Sequence, residues 1–583
     1  MSIYVKQEGQ PRKKHGCLWT IIVCAVLYIV LCGVLGMMMG DMFSTPVATL
    51  EENTVYRIDL DGELVEQAPL DNPFAALMSD LPGYNKQDVV GLDNILSNIR
   101  LAKDNDKILG IYLRGGSLSM APASAKAIRD ALLDFKQSGK FVVAYSDSYG
   151  QMNYYVASAA DKIFLNPIGT VDWNGLSSQT MYYKRLLDKV GVEIQILKVG
   201  TFKSAVEPYF RTSMSDADRE QTLQYLNGIW DEMTQAVAAS RHQTSEQLNA
   251  YADLYMGLQP QEKYVEYGFV DTLVYVQDMD SVLRVYTGTK DYNTMSTGKL
   301  ATVKRASVKA SDEIVVLYAE GGIYDDGSKG ITATDMVKTA KKIAKDDDVK
   351  AVVLRVNSPG GSADASEQIW HAMKTLQAKG LPVVVSMGDY AASGGYYISS
   401  EADYIYAEPT TLTGSIGIFG TIPNFNKLRD AVGLDIDGVC TNKHSDLEGN
   451  MMYKGMTPEE FAMMQNMVER GYDLFTSRCA EGRGMSQDDI KKIGEGRVWL
   501  GKDAVKLGLV DELGNIDDAI SKAAELAGVS QYVLTYYPEQ TDPMEELMSM
   551  FDNSTPEEKL VKEMREFVSQ PRVMALMPNV TIK

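Results

Sequence analysis

Two short stretches in the second half of the chain carry residue types suited to acyl chemistry. RVNSPGGSAD (Arg355–Asp364) reads as a buried strand that ends in a Pro-Gly-Gly turn and leads into a helix. Gly360 and Gly361 have no Cβ and reach backbone conformations closed to other residues. Their N–H groups can therefore converge on an oxyanion beside a helix N-terminus. An ordinary strand-to-helix turn would read the same way. MGDYAASGGYYIS (Met387–Ser399) follows a second strand and sets Ser393 among small residues, with Gly394 directly after it. A serine at that place can simply cap a helix. It can also offer its hydroxyl to a substrate backbone, with the Gly394 N–H joining the Gly360-Gly361 turn as an oxyanion donor.

A serine nucleophile needs a base. Clp-type proteases share this Ser-Pro-Gly-Gly and Ser arrangement and place a His downstream of the Ser; the corresponding region here, LTGSIGIFG (Leu412–Gly420), has none. His371 falls on the polar face of a helix. His444 sits in a loop after a strand, with no neighbour in sequence to orient it. Lys203, in ILKVGTFKSAVEPYF (Ile196–Phe210), is the stronger candidate, although a lysine in a loop is ordinarily just solvated. An unperturbed lysine has a pKa of about 10.4, so at pH 7 roughly one in 2,500 is neutral. Such a base works only where burial in apolar surroundings disfavours the ammonium.

The case for Lys203 comes from a duplication. ILGIYLRGG, FVVAYSDSYGQMNYYVASAADKIFLNP and VGVEIQILKVGTFKS in the first half correspond to VKAVVLRVNSPGG, PVVVSMGDYAASGGYYISSEADYIYAEP and VGLDIDGVCTNKHS in the second. Tyr154 and Tyr396, Asp161 and Asp403, Pro167 and Pro409, and Gly191 and Gly433 all stand 242 residues apart. At that offset Ser393 falls on Gln151 and Lys203 falls on Ser445, so each copy keeps one half of a Ser–Lys pair (Lys443 is close, so this depends on an ungapped alignment). A period this long means two domains rather than a solenoid. Within each copy, Val-rich runs buried on both faces alternate with helical stretches such as Ser366–Lys379, which is the grammar of a mostly parallel α/β sheet. The expected organisation is a first domain over residues 55–290, a polar linker over 291–311, a second domain over 312–535 and an acidic tail over 536–583, read as loosely helical.

The chain has 583 residues, with 78 Asp and Glu against 57 Lys and Arg, a net charge of −21. That charge argues against a nucleic-acid partner, which calls for a basic footprint. Five Cys, three of them at the N-terminus, and four scattered His give neither a disulfide framework nor a metal-ligand pattern. No cofactor is expected. Leu18–Met39 is a run of 22 residues without charge. At about 1.5 Å per residue it can cross a hydrocarbon core of about 30 Å. A cleaved signal peptide is the rival, but the run exceeds the usual apolar core of about 7–15 residues and lacks an A-x-A site. Lys6, Arg12, Lys13 and Lys14 precede it, whereas Asp41, Glu51 and Glu52 follow it. The positive-inside rule then puts residues 1–17 in the cytoplasm and everything after the anchor across the membrane.

RVNSPGG, DYAASGGYY, GSIG (Gly414–Gly417) and GTFKSAVEPY together resemble the long, two-domain form of the signal peptide peptidase A family, membrane-anchored serine proteases with a Clp/crotonase-like fold. The resemblance spans residues 55–530. It implies tandem Clp/crotonase-like domains after one transmembrane helix, Ser393 as nucleophile, Lys203 as general base, Ser415 as the residue orienting the lysine, and oxyanion donors from Gly360, Gly361 and Gly394. It further implies a homotetramer at the outer face of the inner membrane, with its catalytic domains in the periplasm, that degrades signal peptides remaining after secretion. Two other readings stay open on the residues alone. One is an acyl-CoA hydratase or hydrolase on the same fold, which would need a nucleotide pocket and acid/base carboxylates near the glycine turns. The other is a non-catalytic anchored scaffold.

Overall fold

The computed structural model describes residues 48–68, 89–305, 310–327, 330–538 and 574–577. The expected anchor, Leu18–Met39, and most of the acidic tail lie outside the described residues. Among the described residues, no helix is long and apolar enough to cross a membrane.

The Val-, Ile- and Leu-rich runs form the strands their composition predicts. Glu313–Glu320, Val349–Ser358 and Val383–Ala392 are buried along almost their whole length, as parallel strands covered on both faces must be. They stand side by side in one sheet, flanked by Val533–Tyr537 at one edge and Tyr404–Ala407 toward the other. The first half builds the same object from Thr272–Leu273, Lys162–Leu165, Phe141–Ser146, Ile108–Gly115, Thr54–Leu60 and Asn293–Ser296, in that order and all parallel. The duplication seen in the sequence is thus a duplication of the sheet. It extends to the long helices Asp216–Arg241 and Pro458–Arg483, which are both 26 residues long. Each starts where a Ser or Thr hydroxyl, of Ser215 and of Thr457, accepts the N–H three residues on.

Two expectations need correction. The stretch 291–311 is not simply a linker. Asn293–Ser296 is the edge strand of the first sheet, and Thr297–Ala301 is a short helix packed on that domain. The tail is not wholly helical either. Val533–Tyr537, at the end of the second domain, is an edge strand, and Met574–Leu576 is a strand of a further sheet.

That further sheet joins the halves. It runs Ile331–Thr332, Ile323–Tyr324, Gly360–Ser362, Met574–Leu576, Phe419–Asn424, Glu193–Lys198. Its last pair is antiparallel and crosses the domain boundary, with Lys198 opposite Phe419 and Glu193 opposite Asn424. The apolar core is continuous across the same boundary: Tyr225 and Leu226 of the first domain share a cluster with Ala392, Leu412 and Val498 of the second. A buried ion pair adds to this joint. Glu66 takes both Nε and Nη2 of Arg355, at 2.9 and 3.1 Å, and accepts from Asn357 Nδ2 at 3.0 Å. Both charged side chains are 4% exposed.

Candidate active site

Ser393 stands at the junction of the strand Val383–Ala392 and the short helix Gly394–Ser399. Its φ of 57° and ψ of −113° lie where a side-chain-bearing residue sits only when its surroundings hold it there. The hold is visible: the Ser393 N–H donates to the Gly414 carbonyl at 2.8 Å, and the Ser393 carbonyl accepts from the Tyr397 N–H at 2.8 Å. The hydroxyl makes no capping hydrogen bond, so the helix-cap alternative does not describe this serine. The residue is fully buried.

Lys203 arrives from the other half. The strand Glu193–Lys198 pairs with Phe419–Asn424, and the chain continues inward: the Val199 N–H donates to the Ile418 carbonyl at 3.0 Å and the Phe202 N–H to the Glu495 carbonyl at 2.9 Å. Gln221 braces the turn. Its Nε2 donates to the Phe202 carbonyl and Ser204 Oγ, while its Oε1 accepts from the Val498 N–H. So guided, Lys203 Nζ lies 2.8 Å from Ser393 Oγ, 3.0 Å from the Ser415 carbonyl oxygen and 3.1 Å from Ser415 Oγ. Ser415 Oγ in turn donates to the Gly496 carbonyl at 3.3 Å.

Nζ thus donates to Ser393 Oγ and to two Ser415 oxygens. A neutral amine at the same place keeps two N–H bonds for Ser415 and turns its lone pair to the Ser393 hydroxyl. Lys203 is fully buried, and among the described residues no carboxylate pairs with it. Burial therefore acts unopposed and holds the amine well below the ordinary lysine range. The walls are close. A Cβ on Gly496, whose φ is +77°, would come within 2.7 Å of Lys203 Cβ, and one on Gly417 within 3.3 Å of its Cδ.

The glycine turn abuts the serine. A Cβ on Gly394 would fall 3.1 Å from both Gly360 Cα and the Gly361 nitrogen, and 2.7 Å from Ser366 Oγ. Gly360 has φ +100°, and its N–H donates to Ser358 Oγ at 3.2 Å. Of the three glycines singled out in the sequence, Gly360 thus has its amide already engaged. The structure brings Ser393, Lys203, Ser415, Gly361 and Gly394 together. It leaves both histidines outside: His371 is exposed, and His444 Nδ1 lies 3.2 Å from Glu460 Oε1. Gln221 and Gly496 escaped sequence reasoning, because the residues they brace or press on lie far from them in the chain and neither belongs to a local pattern.

Two domains of one α/β architecture, with a strained serine from one and a buried lysine from the other, define a class of serine-type hydrolase. Comparison with known proteins agrees. The model of peptidase family S49 matches residues 134–289 and 375–530, one span in each half, and the Clp protease model matches 309–409. The chain belongs to peptidase family S49 and is a serine-type peptidase. It is 38% identical to Protease 4 of Salmonella typhi over 512 residues, which is 85% of this chain and 82% of that one. Protease 4 of Haemophilus influenzae is 36% identical, with 81% and 79% covered. The chloroplastic serine protease SPPA of Arabidopsis thaliana is 29% identical, with 84% and 71% covered.

Proposed function

We propose that this chain is a membrane-anchored endopeptidase in which Ser393 and Lys203 form a catalytic dyad that degrades signal peptides remaining after secretion. The observation that carries the dyad is the 2.8 Å approach of a fully buried, unpaired lysine amine to the hydroxyl of a strained serine. Neutral Lys203 takes the Ser393 proton as Oγ attacks a peptide carbonyl carbon. The developing oxyanion is received by the N–H groups of Gly361 and Gly394, Gly360 supplying the turn that lets them converge. The lysine then gives its proton to the leaving amine, and water activated by the same amine releases the acyl group from Ser393. Ser415 keeps Nζ aimed through this cycle by accepting its two N–H bonds.

The substrate reading rests on the strands beside the dyad. Gly360–Ser362 and Phe419–Asn424 flank a position in their sheet, filled by Met574–Leu576, that an extended peptide would take in its place by strand addition. An apolar segment would keep the site dry, as a neutral lysine requires. The uncharged run Leu18–Met39 supports anchoring in the inner membrane, with residues 1–17 cytoplasmic and the catalytic domains in the periplasm. A homotetramer would gather several such sites at the membrane surface.

The test compares the purified full chain with Ser393→Ala and Lys203→Met on a labelled signal peptide. Cleavage by the wild type alone supports the reading, and equal cleavage by all three ends it. Protease protection in spheroplasts, with the large domains degraded from outside, checks the orientation.

A further inference from the structure

The long helix Asp216–Arg241 opens against the turn that carries Lys203. Its N-cap, Ser215, accepts the Asp218 N–H through its hydroxyl at 3.1 Å. At the 242-residue offset Ser215 corresponds to Thr457 and Asp218 to Glu460, which open the matching helix Pro458–Arg483. There the acidic residue closes a capping box, Glu460 Oε2 accepting the Thr457 N–H at 2.8 Å. The first copy caps differently. The Ser215 N–H goes to Glu207 Oε2 at 3.0 Å, so the Asp218 carboxylate is released from the cap. Its Oδ1 accepts from Gln221 Nε2 at 3.1 Å, and among the described residues no hydrogen bond reaches Oδ2.

The released carboxylate lines a cavity of about 310 Å³ whose wall includes Ser204, the residue after Lys203. Among the described residues Asp218 is the one charged member of that wall. Tyr182 lines it too, and its buried hydroxyl has no hydrogen-bond partner among the described residues. Burial, then Asp218 and Glu207, push the Tyr182 pKa up to about 12, so the group stays a phenol. The cations nearest in sequence do not answer Asp218: Arg211 lies 3.7 Å from Glu207, and Arg219 is exposed. Met574 and Leu576 show how an extended chain meets this cavity. Both line it, two residues apart on one face of their strand, and Ala575 between them does not. A peptide that took the place of this strand would send alternate side chains toward Asp218.

We propose that Asp218 is a specificity-determining residue that receives the cation of a substrate Lys or Arg, so that the preferred peptide is an apolar stretch bordered by a basic residue. The inference rests on the Ser393–Lys203 reading and names a feature its substrate carries. An ammonium or guanidinium entering the cavity donates to Asp218 Oδ2, and the Tyr182 hydroxyl can accept from it as well. The methylene stem of such a side chain lies against apolar wall, which Met214 and Phe419 supply. A Glu side chain at the same position meets Asp218 with no cation between them and is rejected. A basic segment followed by an apolar core is the layout of a signal peptide. Selection at Asp218 therefore separates such peptides from apolar chains in general.

Internally quenched peptides test this on the full chain. One apolar sequence is made in versions that carry Lys, acetyl-lysine, Met or Glu at a single position, scanned along the peptide. The readout is kcat/KM with wild type and Asp218→Asn, and fluorophosphonate labelling of Ser393 reports the dyad separately. The expected result is a position at which wild type cleaves the Lys peptide about tenfold better than the Met and acetyl-lysine peptides, with Glu below both. In Asp218→Asn the ratio of Lys to Met at that position should fall to about one. A wild type that labels at Ser393 and cleaves the Met peptides but shows no such position overturns the proposal and leaves the proposed function standing. A preference for Lys that acetyl-lysine shares overturns it too, and that comparison needs no variant. A preference for Lys that survives in Asp218→Asn belongs to another residue and overturns the role of Asp218. A wild type that neither labels nor cleaves overturns the dyad and this inference with it.

Discussion

At the scale of the residue, the account depends on the charge state of one amine. Lys203 makes three polar contacts, two of them as donor to Ser415, and has no acid to steady an ammonium. Its pKa is lowered by burial, so the sign of two pH effects follows. Activity is lost when Lys203 is protonated, so kcat/KM on a peptide should rise with pH through the depressed pKa and level off well below the ordinary lysine value of about 10.4. Stability follows the linkage relation. The unfolded chain protonates this lysine over a range where the native state does not, so native stability rises with pH across that range, from the depressed folded pKa up to the unfolded one. Lys203→Met removes the burden of a buried amine. It should melt higher than wild type near pH 7, with the gap narrowing toward about pH 10, and lose activity by about 10²–10⁴-fold or more. A thermal melt series at several pH values checks the first part. A Lys203→Met chain that melts lower at neutral pH would show that the amine is held charged.

At the scale of the element, the site is set by close backbone approaches. Gly496 illustrates the tolerance: its φ is +77°, and a methyl there would press on Lys203 Cβ at 2.7 Å. Gly496→Ala should shift Nζ from Ser393 and reduce kcat by about 10²-fold, the scale expected for a misplacement of roughly 1 Å, with KM little changed. Steady-state kinetics on one peptide separates the two constants. What was legible in the sequence follows the same physics. The Val-rich strands and the 242-residue period were readable because two-faced burial imposes apolar runs, and the Ser393 and glycine turns were readable because small residues cluster there. Asn293–Ser296 reads as linker because NTMS, a polar edge strand, carries no apolar alternation. The strand Met574–Leu576 is three residues long, and its pairing is decided by residues more than 150 positions away. Gly496 has no local signature at all, since what it meets is Lys203, nearly 300 residues earlier.

At the scale of the whole molecule, the proposed catalytic centre draws on two copies of a fold, and anything that loosens the copies should loosen the centre. Glu66 and Arg355 make the most buried ion pair across the joint, each 4% exposed. Removing one partner leaves the other charged and unpaired, which destabilises by about 3–5 kcal/mol. Glu66→Ala should therefore lower the melting temperature, while a Glu66→Ala, Arg355→Met double variant should recover much of the loss; calorimetry of the three proteins decides this. The proposed pair takes one residue from each half: at the 242-residue offset Gln151 stands opposite Ser393 and Ser445 opposite Lys203. The most direct test of that division of labour is the rate at which a fluorophosphonate acylates Ser393, followed against pH in wild type and in Lys203→Met. The account predicts a single labelled serine, a wild-type rate that climbs with pH to a plateau, and negligible labelling of a folded Lys203→Met chain. Labelling of Lys203→Met at the wild-type rate, or labelling of another serine in either protein, would contradict it.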